Sequence, residues 1–169
     1  RIRLGTRLPV YLPQRITDNL CKILADFKKK ASEIGFKQFV IQTHFISSME
    51  VTSEAADGIK KLSDAGWMIA NQVVFTAAAS VRGHAAKLRK VLNDVGVVSY
   101  YSFSIKGFKE NSHNFATNAR AVQESVEEKI IGAIPEEELE NIKEFPLHAE
   151  EIKTYINKLR DKAGLPFLA

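Results

Sequence analysis

The sequence predicts an α/β fold with about four βα units of a parallel (β/α) barrel, followed by a helical C-terminal tail. The first observation is the regular spacing of three glycines, since Gly35, Gly66 and Gly96 follow one another at intervals of about 30 residues. Each glycine follows a segment with helical periodicity and precedes a short apolar segment, as a left-handed residue after a helix does. A repeat of this length is typical of parallel barrels and doubly wound sheets.

The second observation is a set of short runs of consecutive apolar residues. Such runs are typical of strands that are buried on both faces of a parallel sheet. The runs are Phe39–Ile41, Trp67–Ile69 and Val97–Tyr101, and Ile2–Leu4 is interpreted as the end of an earlier, fourth strand. An eight-fold barrel needs roughly 250 residues, so four units in a chain of 169 residues predict about half of a barrel.

The third observation is the amphipathic pattern before each glycine, which predicts three helices. Their apolar residues recur at helical spacing. These residues are Ile16, Leu20, Ile23 and Phe27, then Ala55, Ile59 and Leu62, and finally Leu88, Leu92 and Val95. Thr17 and Thr52 precede the first two helices, and their hydroxyl groups are expected to cap them.

The repeat ends after Ser104, and this break divides the chain. We predict that residues 1–117 form the partial barrel and that residues 118–169 form a helical tail, with helices near 118–129 and 149–163. An open half-barrel leaves strand edges that need cover. The tail is therefore a candidate for packing or assembly, and a homo-oligomer remains an open alternative.

Composition limits the classes of partner. The net charge is only +4, and no basic stripe is interleaved with aromatic residues, so we expect no nucleic acid as main partner. No segment is long and apolar enough to span a membrane, and we expect no membrane partner. Cys21 is the single cysteine, which is typical of a reducing compartment and predicts a cytoplasmic protein. Its amphipathic surroundings favour a buried structural thiol over a nucleophile.

The predicted strands end in polar residues. The four carboxyl ends are Gly5–Arg7, with Arg7 as the charged residue, then Gln42, Thr43 and His44, then Asn71 and Gln72, and finally Ser102–Lys106. Because ligands bind at the carboxyl ends of parallel strands, we expect a site for a polar ligand there. The residues alone indicate no phosphate loop, nucleophile elbow or metal-ligand spacing.

Four motifs occur in a particular order and spacing. They are RIRLGTRLPVYLPQRIT at 1–17, THF at 43–45 followed by EVTSE, LSDAGWMIANQ at 62–72, and SYY at 99–101. In this order they resemble the lysine 2,3-aminomutase family of radical S-adenosylmethionine proteins. The resemblance covers about residues 1–117, and its first motif is the most specific.

The resemblance implies a partial barrel with a [4Fe–4S] cluster that reduces S-adenosylmethionine to a 5′-deoxyadenosyl radical. The radical starts the migration of an amino group between neighbouring carbons of an amino acid carried by pyridoxal phosphate. The cluster cysteines of the family would lie upstream of Arg1, so we expect the cluster ligands in the remaining N-terminal part of the same protein. The matching positions Thr43, His44 and Gln72, with Arg7 close by, are implied to bind S-adenosylmethionine.

The chain departs from the family at three places. Ile46 stands where the family has asparagine, residues 77–81 read AAASV where it has Arg-Gly-Val-Asn-Asp, and no Gly-Gly-Gly-Lys loop follows Thr117. The missing lysine loop argues against pyridoxal phosphate. The departures leave a second hypothesis open, a non-catalytic descendant that binds a small ligand or serves as an assembly module.

Lys106 is a further candidate, for substrate binding. An ungapped alignment puts Lys106 where lysine aminomutases carry an aspartate that binds the distal ammonium of the substrate. A lysine there predicts a substrate with an anionic side chain, since a like charge facing a buried charge is costly. The alternative is a solvated loop lysine.

Overall fold

The computed structural model describes residues 1–81, 83–103, 113–117 and 119–124, and also residues 151, 154, 157, 158, 161 and 164. In this part of the chain four strands form one sheet. They are β1 (Ile2–Gly5), β2 (Phe39–Thr43), β3 (Met68–Val74) and β4 (Val98–Phe103). They lie in the order β1-β2-β3-β4, and all neighbours are parallel. The predicted α/β fold is confirmed, and the sheet is consistent with a partial barrel.

The helices alternate with the strands. They are α1 (Leu8–Tyr11), α2 (Asp18–Glu33), α3 (Ser53–Asp64) and α4 (His84–Asp94). Thr17 and Thr52 cap α2 and α3 as predicted, since their hydroxyls accept hydrogen bonds from the backbone N–H groups of Leu20 and Ala55. None of the described helices is long and apolar enough to cross a bilayer.

The three spaced glycines adopt the backbone conformation that their positions require. Gly35, Gly66 and Gly96 have φ angles of +108°, +85° and +77°. Residues other than glycine rarely adopt these backbone angles. The predicted role of these glycines in ending the helices is therefore confirmed.

The core lies between the sheet and the helices. The fully buried residues Ile59, Leu88 and Leu92 on α3 and α4 belong to one cluster with Ile41 and Ile69 on the strands. The apolar pattern of α2 is covered less completely than its periodicity indicates. Ile23 and Phe27 are 56% and 45% exposed, although the Phe27 ring stacks on Trp67 at 6.3 Å.

The sheet has a second face, opposite to the helices, which we call the open face. Because side chains alternate along a strand, Val40 and Gln42 lie on this face when Ile41 packs in the core. Register partners in a parallel sheet share a face, which places Arg3, Gly5, Met68, Ala70, Gln72 and Val98 there as well. Met68 and Val98 are nearly half exposed, as expected for a face without helices.

The third strand ends two residues later than predicted. We expected its carboxyl end at Asn71 and Gln72, but β3 continues to Val74. Pairing with β4 extends through Val74 and holds the backbone in the strand beyond the predicted end. The register shifts between Asn71 and Gln72, which pair with Ser99 and Tyr101. Such a bulge changes the direction in which the following side chains point.

Part of the predicted tail is described. Residues 119–124 are helical, inside the helix predicted near 118–129. Before them, Phe115 pairs antiparallel with Thr76 just beyond β3. The other predicted tail helix lies mostly outside the described residues, and the division between residues 117 and 118 remains a prediction.

Candidate functional site

Three of the predicted site residues come together at the carboxyl ends of the first three strands. The half-buried ring of His44 makes a hydrogen bond with the backbone of Gln72. Burial lowers the pKa of His44, the positive charge of nearby Arg7 lowers it further, and the hydrogen bond with Gln72 acts in the opposite direction. The ring is therefore neutral at pH 7, and a neutral imidazole can donate one hydrogen bond and accept another.

Arg7 lies at the start of α1 and is held on two sides. Its guanidinium carbon is 4.2 Å from the centroid of the Tyr11 ring, and its Nη2 is 3.7 Å from Oε1 of Glu50. Within the described part of the chain, its buried Nε has no hydrogen-bond partner. An oriented guanidinium with an unused donor is suited to bind an oxygen of a ligand.

Thr43 is placed differently from the other three residues. It follows Gln42 on β2, so its side chain lies on the helix-covered face of the sheet, and it is fully buried. Its hydroxyl has no hydrogen-bond partner among the described residues. A direct contact of Thr43 with a ligand remains a prediction.

The loop after β2 is braced by side chains that sequence reasoning missed. Fully buried Asn71 accepts a hydrogen bond from the N–H of Phe45 at 2.6 Å and donates one to its carbonyl oxygen at 3.0 Å. Asn71 therefore fixes the residue that follows His44. The sequence pattern alone does not show that Asn71, rather than Gln72, faces this loop.

Two further side chains hold the next residue of the loop. Oε2 of Glu50 accepts hydrogen bonds from the N–H groups of Ile46 and Ser47, at 2.6 Å and 3.1 Å. Nε2 of His84 lies 3.0 Å from the carbonyl oxygen of Ile46. Ser47 and Glu50 have the spacing of a capping box, a sequence signal that could have identified Glu50.

The sequence also drew attention to Lys106 and Cys21. Lys106 lies outside the described residues, and its role remains a prediction. Cys21 is on α2, partly buried, and burial raises the pKa of its thiol. In the described part of the chain, no group of three or more histidine, cysteine or acidic side chains could hold a metal ion.

The fold and these contacts define the class of the protein. The strands are parallel, the helices cover one face of the sheet, and polar side chains lie at the carboxyl ends of the strands. These are features of α/β barrel proteins, which carry their sites at the carboxyl ends of the strands. The chain supplies part of such a barrel.

Known proteins specify the family. The chain is 39% identical over 127 residues to an uncharacterized KamA family protein of Methanocaldococcus jannaschii, and the match covers 75% of the chain. It is 37% identical over 130 residues to an L-lysine 2,3-aminomutase of Methanococcus maripaludis, covering 76% of the chain. It is 35% identical over 113 residues to a glutamate 2,3-aminomutase of Clostridioides difficile, covering 66%. No family model matches.

The chain belongs to the lysine 2,3-aminomutase-like family, as its motifs predict. The matched segment spans 19%, 28% and 25% of the length of these three relatives. We therefore propose the activity of the whole protein and do not assign it from these relatives.

The lowered pKa of His44 predicts a pH-dependent stability. The folded protein binds the proton less tightly than the unfolded chain, so the free energy of unfolding should be retained above the ordinary pKa of 6.5 and should decrease as the pH falls below it. His44→Gln should reduce this decrease, as measured by urea unfolding between about pH 7 and pH 5.

The cause of the shift can be tested in the same experiment. Arg7→Gln removes the nearby positive charge but leaves burial, the larger cause, so the decrease should become smaller and should not disappear. A decrease of the same size in the His44→Gln variant would contradict the assignment.

Proposed function

We propose that the protein containing this chain is an aminomutase that moves an amino group between neighbouring carbons of an amino acid by radical S-adenosylmethionine chemistry. The chain contributes part of the wall that binds S-adenosylmethionine. The observation that carries the proposal is the meeting of His44, Gln72 and Arg7 at the carboxyl ends of the strands, in a chain that belongs to an aminomutase family.

The side chains at this site suit the ligand. S-adenosylmethionine has a carboxylate, an ammonium group, ribose hydroxyls and an adenine ring, and it supplies the 5′-deoxyadenosyl radical. A guanidinium and an amide donate to carboxylate and hydroxyl oxygens, whereas the neutral imidazole of His44 can accept as well as donate. Holding the ligand in one geometry is what productive cleavage requires.

The other cofactors place demands on the rest of the protein. One cysteine cannot supply the thiolates that a four-iron cluster needs, so the cluster ligands must come from residues outside this chain. The sequence has no counterpart of the lysine loop that carries pyridoxal phosphate, and we assign no residue to that cofactor. A cluster of this kind is suited to a reducing compartment such as the cytoplasm.

Lys106 bears on the substrate. One relative is named a glutamate 2,3-aminomutase and others are named lysine 2,3-aminomutases, so the family includes substrates with side chains of either charge. We propose that Lys106 favours an amino acid with an anionic side chain, because opposite charges attract.

The test is anaerobic reconstitution of the natural polypeptide that contains this chain, with iron and sulfide. We expect cluster absorbance and release of 5′-deoxyadenosine from S-adenosylmethionine in the presence of an amino acid. His44→Ala should lower the release at least about tenfold, as expected when one group that orients a ligand is lost. Exposed Asn93→Ala is the control and should leave it unchanged. Absence of both signals in the unmodified protein would overturn the proposal.

A non-catalytic descendant is the second candidate. The turn after β3, where the sequence departs from the family, is held by hydrogen bonds to other residues of this chain. Ala77 donates to the carbonyl oxygen of Asn114, and the hydroxyl of Thr76 accepts from the N–H of Ala79. Binding of S-adenosylmethionine without any release of 5′-deoxyadenosine would favour this candidate.

A further inference from the structure

Among the described residues, the amide of Gln42 on the open face has a hydrogen-bond partner for its oxygen and none for its nitrogen. Its side chain is only 6% exposed, and its Oε1 accepts a hydrogen bond from Nη1 of Arg3 at 3.2 Å. Its Nε2 is buried and has no partner among the described residues. A buried polar group of this kind calls for an explanation, since such groups in native proteins almost always have a partner.

The contact with Arg3 fixes the orientation of the amide. A guanidinium only donates hydrogen bonds, so the amide oxygen must be the atom that faces Arg3. The usual ambiguity between the oxygen and the nitrogen of a glutamine is therefore removed. Nε2 is held as a donor that points away from Arg3.

The residues beside Gln42 on the neighbouring strands are small. They are its register partners, Gly5 on β1 and Ala70 on β3. Among the described residues, no heavy atom lies within 4 Å of a Cβ atom placed at Gly5. Because register partners share a face, this free space at Gly5 lies on the same face of the sheet as Gln42.

The charge around the free space is positive. Arg3 lies on the open face. Arg7 lies close to His44 at the carboxyl ends of the strands. None of the described residues assigned to the open face is acidic, and Glu50, which pairs with Arg7, lies in the loop beyond β2. A fixed N–H donor beside guanidinium groups is suited to a carboxylate, which only accepts hydrogen bonds when it is ionised.

We propose that Gln42, oriented by Arg3, donates a hydrogen bond from Nε2 to the carboxylate of an amino-acid-like ligand on the open face. Gln42 is then a ligand-binding residue and Arg3 is a positioning residue. The inference rests on the proposed function, in which two ligands carry such a carboxylate. They are the amino-acid substrate and the methionine part of S-adenosylmethionine.

The experiment compares ligands with and without the α-carboxylate; 4-aminobutyrate lacks the α-carboxylate of glutamate but keeps its side-chain carboxylate. In the reconstituted natural polypeptide, calorimetry measures the binding of S-adenosylmethionine and its decarboxylated analogue, and of glutamate and 4-aminobutyrate. Gln42→Glu keeps the size of the side chain and the contact with Arg3 but replaces the donor with a negative charge. Gln42→Met, which lacks both polar atoms, is the second variant if Gln42→Glu does not fold. Exposed Gln38→Glu is the matched control, with the same chemical change four residues away.

We expect Gln42→Glu to weaken binding of one of the two carboxylate ligands about 10- to 100-fold, the range for loss of a hydrogen bond to a charged group. The analogue that lacks the α-carboxylate should bind to the Gln42→Glu variant with an affinity within about twofold of that for the unmodified protein. Gln38→Glu should change neither affinity. The affected pair identifies which carboxylate Gln42 contacts.

Two outcomes would overturn the inference. Equal losses for a ligand and its decarboxylated analogue, or no loss for either, would show that Nε2 does not contact the α-carboxylate, and the proposed function would be untouched. If the unmodified protein binds neither S-adenosylmethionine nor an amino acid, the proposed function fails together with the inference.

Discussion

Asn71→Leu is expected to lower the free energy of unfolding by about 2–6 kcal/mol, because it leaves two buried backbone groups of Phe45 without partners at roughly 1–3 kcal/mol each. Leucine has the same branching as asparagine and is not smaller, so the substitution creates no cavity. Urea unfolding of the natural polypeptide measures the change. The control Asn93→Leu, at an exposed position, should change the free energy by less than about 0.5 kcal/mol.

Asn71→Asp separates the two hydrogen bonds. An ionised aspartate can still accept from the N–H of Phe45, but it places a negative oxygen against the carbonyl oxygen to which Asn71 donates. Burial and this repulsion should raise the pKa of the introduced carboxyl. The folded state then binds the proton more tightly than the unfolded state, so stability should increase as the pH falls. A pH-independent loss would show that Asn71 does not donate to Phe45.

Glu124→Leu is expected to cost about 3–5 kcal/mol of stability, the range for removing one partner of a buried charge pair. Glu124 is only 1% exposed. One of its carboxylate oxygens accepts from the N–H of Ala85 in the first turn of α4 at 2.9 Å, and the other pairs with Arg120. The same carboxylate interacts favourably with the positive end of the α4 dipole.

Hydrogen exchange makes the test specific. The amide of Ala85 should exchange faster in Glu124→Leu, because its acceptor has been removed, and Glu124→Gln should largely restore its protection, because an amide oxygen can still accept. Exposed Glu33→Leu serves as the control for the loss of a carboxylate. If the exchange of Ala85 is the same in all variants, Glu124 does not join residues 119–124 to α4.

Local signals in the sequence predicted most of the fold. The caps Thr17 and Thr52 and the left-handed glycines depend on a few neighbouring residues, so they could be identified from the sequence. The strands could be identified from their apolar runs, but β3 ends at Val74, two residues beyond the expected end at Gln72, because its pairing with β4 extends that far.

The candidate site was predicted only in part. The order of the motifs and the rule for parallel strands brought His44, Gln72 and Arg7 to one end of the sheet. The faces on which side chains lie were harder to predict, because a shift of one residue moves every side chain of a strand to the other face. Thr43 and Gln42 are neighbours in the sequence, yet Thr43 packs towards the helices and Gln42 lies on the open face.

The sequence by itself determined the family, the alternation of strands and helices and the polar residues at the carboxyl ends of the strands, because each depends on local pattern or on motifs in order. Only the tertiary structure decided that Asn71 braces Phe45, that Glu50 joins Arg7 to the loop after β2 and that Glu124 meets the start of α4. These contacts link residues between 26 and 43 positions apart. Strand register, side-chain direction and loop packing set them together, and no local pattern encodes all three.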